Sequence, residues 1–227
     1  MLKKTTLFSI LLLTFLSTLS AQAESKTLWD LWYTLKLNQK VPYAYYNEKL
    51  EIKDGKIALS FQLWKKEEGY INQESLGAFA KDDSQLTPLF FNFRSTYRTV
   101  ETIIDGNIDD NRLMKVKIKR GASELPVVTS RIQKDVFLSS FFPLWMARNA
   151  LQLKPGQSKS FSTIKEDDLD NAFKSSFGSV LAEKPDEIAK NTKTQKFKID
   201  FLGQKSIWWI RSDGSIERAE VPVNGLI

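Results

Sequence analysis

The 227-residue sequence contains neither cysteine nor histidine. Without cysteine there is no disulfide, no thiol nucleophile and no lipid-attachment cysteine of the kind that anchors exported bacterial lipoproteins. Without histidine, serine-histidine-acid triads and the usual zinc sites are excluded. Beyond its N-terminal segment the chain has no apolar run near the ~20 residues that a membrane-spanning helix requires. It also lacks internal repeats, low-complexity tracts and any visible domain boundary.

What is present begins with a leader. Lys3 and Lys4 are followed by an apolar run from Leu7 to Leu19 and then by Ala21-Gln22-Ala23. A charged start, a short apolar stretch and small residues two apart predict a secretory signal peptide over residues 1–23. The n-region has no twin arginine, which points to the general secretory route. The expected mature protein is one β-rich domain over residues 24–227, periplasmic or secreted and soluble once cleaved. An exported chain without disulfides relies on its core for stability, and 42% apolar residues with 12% aromatics supply one.

The charge is mild. Lys and Arg number 33 against 27 Asp and Glu, and two of those lysines belong to the leader. The excess permits peripheral contact with an anionic membrane or glycan surface, but it is too small and too dispersed for a nucleic-acid binder.

Period-two alternation dominates the expected mature chain, the pattern of strands with one buried face. Trp29, Leu31, Tyr33, Leu35 and Leu37 share a side, as do Ile57, Leu59, Phe61 and Leu63. The same holds for Leu89, Phe91 and Phe93, for Met114, Val116 and Ile118, and for Phe197, Ile199 and Phe201. Asp54-Gly55, Asp105-Gly106, Gly203-Gln204 and Asp213-Gly214 read as hairpin turns between them. Short connections favour an antiparallel meander, because parallel neighbours need long crossovers. The expected fold is mainly β: a curved antiparallel meander, half-barrel or open barrel, with one principal helical insertion.

That insertion is expected over Asp135 to Leu153, where Phe137, Phe141, Leu144, Trp145 and Leu151 recur at helical spacing. It reads as one amphipathic helix or two short ones: Asp135 is the expected N-cap, Pro143 breaks or restarts the helix, and Lys154-Pro155-Gly156 ends it. A second, shorter helix is expected over Glu166 to Lys174.

Few residues suggest chemistry. Glu67 with Glu68, or Glu101 with Asp105, are the carboxylate pairs a glycosidase would use. Glu67-Glu68-Gly69 also reads as a charged hairpin loop. Asp105 to Asn111 resembles a calcium loop in its alternating oxygens, but it has Asp110 where glycine belongs and Val116 where the bidentate glutamate belongs. No cofactor or metal is therefore expected. Glu166, Asp167, Asp168 and Asp170 read as acids at a helix start. Lys115, Lys117 and Lys119, and separately Lys196 and Lys198, form positive rows that read as polar outer faces discouraging edge-to-edge association, and that would become one anion-contacting stripe if their strands were neighbours.

The aromatic content, 6 Trp, 6 Tyr and 15 Phe, exceeds what single inner faces absorb. Trp32, Trp64, Tyr46, Phe90 and Trp208 fall out of phase, on faces expected to point outward. A strand apolar on both sides has both sides covered, either by the chain itself or by a ligand. The candidate binding site is the concave face of the sheet: Phe137, Phe141, Phe142 and Trp145 of the insertion facing Trp29, Phe61, Phe91 and Phe93.

The Trp-bearing first strand, the meander, the Phe- and Trp-rich insertion and the closing segment Trp208 to Pro222 together resemble exported bacterial half-barrels of the lipoprotein-carrier and lipoprotein-localisation type. The resemblance implies a curved sheet around a helical plug that binds lipid or lipoprotein acyl chains without catalysis. Such carriers use a sheet arginine to hold the closed state. Arg94 and Arg98 lie on plausible strands, with no local motif to assign the role to either. The function expected is an exported, non-enzymatic binding domain for an apolar or amphiphilic, lipid-like ligand or for an envelope protein partner. The alternatives are an envelope glycan hydrolase and a structural envelope component.

Overall fold

The computed structural model describes residues 25–37 and 41–221. The expected signal peptide, and Pro222 at the end of the closing segment, lie outside the described residues.

Seven long strands run in sequence and pair antiparallel with their neighbours: β1 (Lys26–Leu37), β2 (Val41–Lys53), β3 (Lys56–Glu67), β4 (Tyr70–Lys81), β5 (Pro88–Tyr97), β6 (Val100–Ile108) and β7 (Leu113–Arg120). Short strands β8 (Ser123–Glu124) and β9 (Val128–Arg131) both pair with β7. A second sheet follows: β10 (Val136–Leu138), β11 (Ser158–Ile164), β12 (Ser176–Ala182), β13 (Gln195–Phe201), β14 (Gln204–Ile210) and β15 (Ile216–Glu220). Helix α1 (Phe142–Asn149) interrupts this second sheet, and the single-turn α2 (Glu187–Thr192) connects β12 to β13. The expected antiparallel meander with one principal helical insertion is the fold, divided into two sheets that strand pairing does not join.

Local chemistry accounts for much of this. Asp54-Gly55, Glu68-Gly69 and Leu202-Gly203 each take positive φ at both positions (53° and 66°, 51° and 83°, 54° and 75°). That backbone matches the twist of the flanking strands and makes a tight hairpin. The third turn lies one residue earlier than expected, because Gln204 already pairs with Phe201.

Three sequence expectations are corrected. Asp105-Gly106 is not a turn: it lies inside β6, where Asp105 pairs with Asn92 and Gly106 with Phe91. Gly106 serves close approach there, since a Cβ would fall 2.0 Å from the Phe91 ring. The expected calcium-like stretch therefore begins as strand, and the Asp109 carboxylate accepts the Leu113 N–H at 2.8 Å to close the β6–β7 hairpin.

The insertion is not helical from Asp135. Val136–Leu138 pairs in parallel with Ser162–Ile164, a 3₁₀ turn follows over Ser139–Phe141, and α1 starts at Phe142 with Pro143 in its first turn. Three consecutive buried residues, Val136, Phe137 and Leu138, need backbone partners, and a distant strand edge supplies them. Residues 166–174 form turns instead of a helix. Ala172 and Phe173 sit at φ 51° and 56°, outside the helical region, with Phe173 fully buried near Phe91. The lysine rows point outward on β7 and β13 as polar outer faces, and because these strands belong to different sheets they make no common stripe.

One core connects the two sheets and the helix: Leu50, Leu59, Phe91, Ile104 and Val116 from the first sheet, Val180, Phe197 and Ile199 from the second, and Leu144 and Met146 from α1. Tyr33 on β1 lies near Arg211 and Asp213 of the β14–β15 connection, so one edge of the first sheet meets the end of the second.

Candidate functional site

The inner faces of the two sheets do not fill the space between them. A cavity of about 490 Å³ remains, within the ~300–1,000 Å³ range of small-molecule sites. Alternation places its walls. On the first sheet Tyr46 pairs with Leu63, Glu48 with Phe61, Phe61 with Leu76, and Leu76 with Phe93, so these side chains share the inward face. On the second sheet Ile199 pairs with Ser206, and Trp208, two residues on, is also inward. Phe161 of β11 and Phe142 of α1 complete an aromatic side, with ring centroids 4.7 Å apart. Trp208 stands edge-on to Phe142 at 5.3 Å.

Four acids also line the cavity: Glu48, Glu74, Glu166 and Asp167. Glu48 is 9% exposed and its Oε1 accepts the Trp29 indole N–H at 2.7 Å. Burial pushes its carboxyl up to about 7, against the opposing pull of that hydrogen bond. Among the described residues its second oxygen, Oε2, has no hydrogen-bond partner. Glu166 is buried with both oxygens engaged: Oε2 accepts the Ser139 hydroxyl at 2.7 Å and Oε1 the Ser140 N–H at 3.1 Å. It fastens the 3₁₀ turn that leads into α1, and burial raises its pKa. The reading of Glu166 as an acid at a helix start is thereby replaced. Glu74 is raised by burial, with neighbouring Asp167 and Glu67 adding to it and Lys65 opposing. Thr163 lines the same cavity, fully buried, and among the described residues its hydroxyl has no hydrogen-bond partner.

Of the eight expected site residues, Phe61, Phe93 and Phe142 line the cavity. Phe137, Phe141, Trp145, Trp29 and Phe91 are buried core. The rings of the insertion meet the second sheet: Phe137 and Trp145 stack at 5.6 Å, and both lie beside Phe161. Tyr46 and Trp208, expected to face outward, point into the cavity. Tyr46 pairs with Tyr33 on the inward face. The outward Trp of β14 is Trp209, which donates to Asp186 at 3.0 Å beneath Lys196 and Arg218. Trp32, Trp64 and Phe90 do lie on the outer face, the two tryptophans stacked at 5.6 Å.

Sequence reasoning missed Glu48, although a signal existed: it occupies the inward phase of β2 between Tyr46 and Leu50. Phe201 was legible as inward from its alternation with Phe197 and Ile199, whereas Phe161 gave no signal beyond its hydrophobicity. The carboxylate pairs named for glycan hydrolysis do not line the cavity. Glu67 pairs with Lys65 at 3.1 Å and Glu68 with Arg98 at a hairpin turn, while Glu101 and Asp105 sit on the outward phase of β6. Arg94 is exposed on the outward face of β5, and Arg98 is in the β5–β6 turn at φ 55°. Neither reaches the cavity as the closing arginine of a carrier would.

No protein-family model and no curated protein matches the chain. Two solved structures are similar to it. A β-barrel-like protein of a domain of unknown function, DUF1849, from Brucella abortus superposes with a TM-score of 0.53 at 11% identity, covering 90% of this chain and 93% of that one. A DUF1089 family protein from Pseudomonas aeruginosa gives 0.43 at 15% identity, covering 77% and 89%. The former shares the β-barrel-like architecture.

Proposed function

We propose that the chain is an exported, non-enzymatic binding domain that holds an apolar or amphiphilic, lipid-like ligand in the cavity between its sheets, in the periplasm or outside the cell. The observation that carries this reading is the cavity itself: about 490 Å³ walled by aromatic and aliphatic side chains from both sheets and α1. A core of this aromatic content packs to near-crystal density when nothing else has to enter it. The hydrogen-bonding groups left over at the wall, Glu48 and Thr163, suit the polar end of an amphiphile.

Native mass spectrometry of the purified protein, together with titration by N-phenyl-1-naphthylamine, tests the reading. The protein is expected to retain a small apolar molecule or to bind the dye with saturation. Ser206→Trp, which places an indole in the cavity from β14, is expected to abolish that binding while circular dichroism stays unchanged. An unmodified protein that carries no ligand and binds no dye would remove the support for a binding domain.

A further inference from the structure

Resting on the proposed binding function, we infer that the head group this cavity accepts is cationic: its ligand class is an amphiphile with an apolar body and a protonated amine or quaternary ammonium. The charge on the wall carries the argument. Among the described lining residues four are acids, Glu48, Glu74, Glu166 and Asp167, and the one cation is Lys165. The Lys165 ammonium lies 3.6 Å from the Asp167 carboxylate, so it is already matched. A carboxylate or phosphate head would enter with no free positive partner among the described lining residues, and would face carboxyl groups from the first sheet and from the turn after β11.

A cation meets the opposite situation. Glu48 offers Oε2, which has no hydrogen-bond partner among the described residues, on a wall shared with the rings of Tyr46, Phe61 and Phe93. Aromatic faces attract cations through their quadrupole, and an ammonium among such rings beside a carboxylate is held by both. The side chain is more than nine-tenths buried, which concentrates the interaction in a poorly solvated site. Glu166 does not compete for this role, because Ser139 and Ser140 already occupy its oxygens.

Binding of a cation favours the ionised form of Glu48. The groups that share its cavity or stack beside it are Tyr33, Tyr46, Glu74, Glu166, Asp167 and Lys165, with Arg211 and Asp213 beyond Tyr33. Of these, Glu74 titrates in the same direction, so affinity for a cation is expected to rise with pH.

The test is a matched set of eight-carbon probes below their micelle concentrations: octyltrimethylammonium, octanoate and octanol, titrated by calorimetry at pH 8. The ammonium is expected to bind about 10-fold or more tighter than octanoate, roughly one to two kcal/mol of head-group preference. Glu48→Gln is expected to remove most of that preference, read as the ratio of ammonium to octanoate affinity. Glu74→Gln provides a second arm if the first variant folds poorly. Octanoate binding as tightly as the ammonium, or a preference that survives in both variants, would overturn the cationic head while leaving the cavity reading intact. Failure of all three probes, octanol included, would count against the cavity as a binding site.

Discussion

Replacing Glu48 by Gln should make the protein more stable at pH 8 and leave it nearly unchanged at pH 4.5. The side chain is 9% exposed, and the Trp29 indole N–H donates to it at 2.7 Å. In the folded chain its carboxyl titrates at about 7 in place of 4.5. A raised carboxyl holds its proton in the native state to higher pH than in the unfolded state. Stability is therefore fully present below about pH 4.5, falls as the pH climbs through the interval, and levels off above about 7. At 1.36 kcal/mol per decade the whole loss is roughly 3 kcal/mol. Glutamine never ionises and still accepts the indole hydrogen bond through its carbonyl, so it removes the loss without leaving Trp29 unpaired. Urea unfolding followed by tryptophan fluorescence between pH 4.5 and 8.5 measures it. At pH 8 the variant's midpoint should exceed the parent's by roughly 1 M or more. Glu74 and Glu166 also have raised pKa values, but they contribute to both proteins and largely cancel in the difference. A difference that does not change with pH, or a variant less stable at pH 8, would refute the assignment of a buried, ionisable Glu48.

Two further outcomes separate core from cavity and explain one glycine. Phe141 is fully buried and does not line the cavity, whereas its neighbour Phe142 does. Phe141→Ala is expected to cost about 3–5 kcal/mol in denaturant unfolding without changing dye affinity per folded molecule, and Phe142→Ala to cost less and weaken dye binding. Gly106→Ala would set a Cβ 2.0 Å from the ring of Phe91, which is fully buried. A loss of about 1–3 kcal/mol is expected, and Gly106→Ala combined with Phe91→Leu should recover part of it in a double-mutant cycle.

Alternation alone determined most of this protein's architecture. Side chains two apart face one way along an extended chain, so Ile57, Leu59 and Phe61 or Phe197, Ile199 and Phe201 announce their strands and inner faces without reference to anything distant. The turn at Asp54-Gly55 is equally local, because Asp and Gly tolerate the positive φ that both positions take (53° and 66°) without help from distant residues. Asp105-Gly106 has the same letters and became strand, since its environment is set by Phe91 on the neighbouring strand. The pairing of Val136–Leu138 with Ser162–Ile164 was likewise invisible, as it depends on which distant edge is left unpaired. The cavity belongs to the same category. Phe61 and Phe93 were legible as inward, but whether the space before them is filled depends on how far β11, β13, β14 and α1 stand away. Only the tertiary structure brings Glu48 of the first sheet and Thr163 of the second to one cavity, because charge and hydroxyl acquire their meaning there from what fails to pair with them.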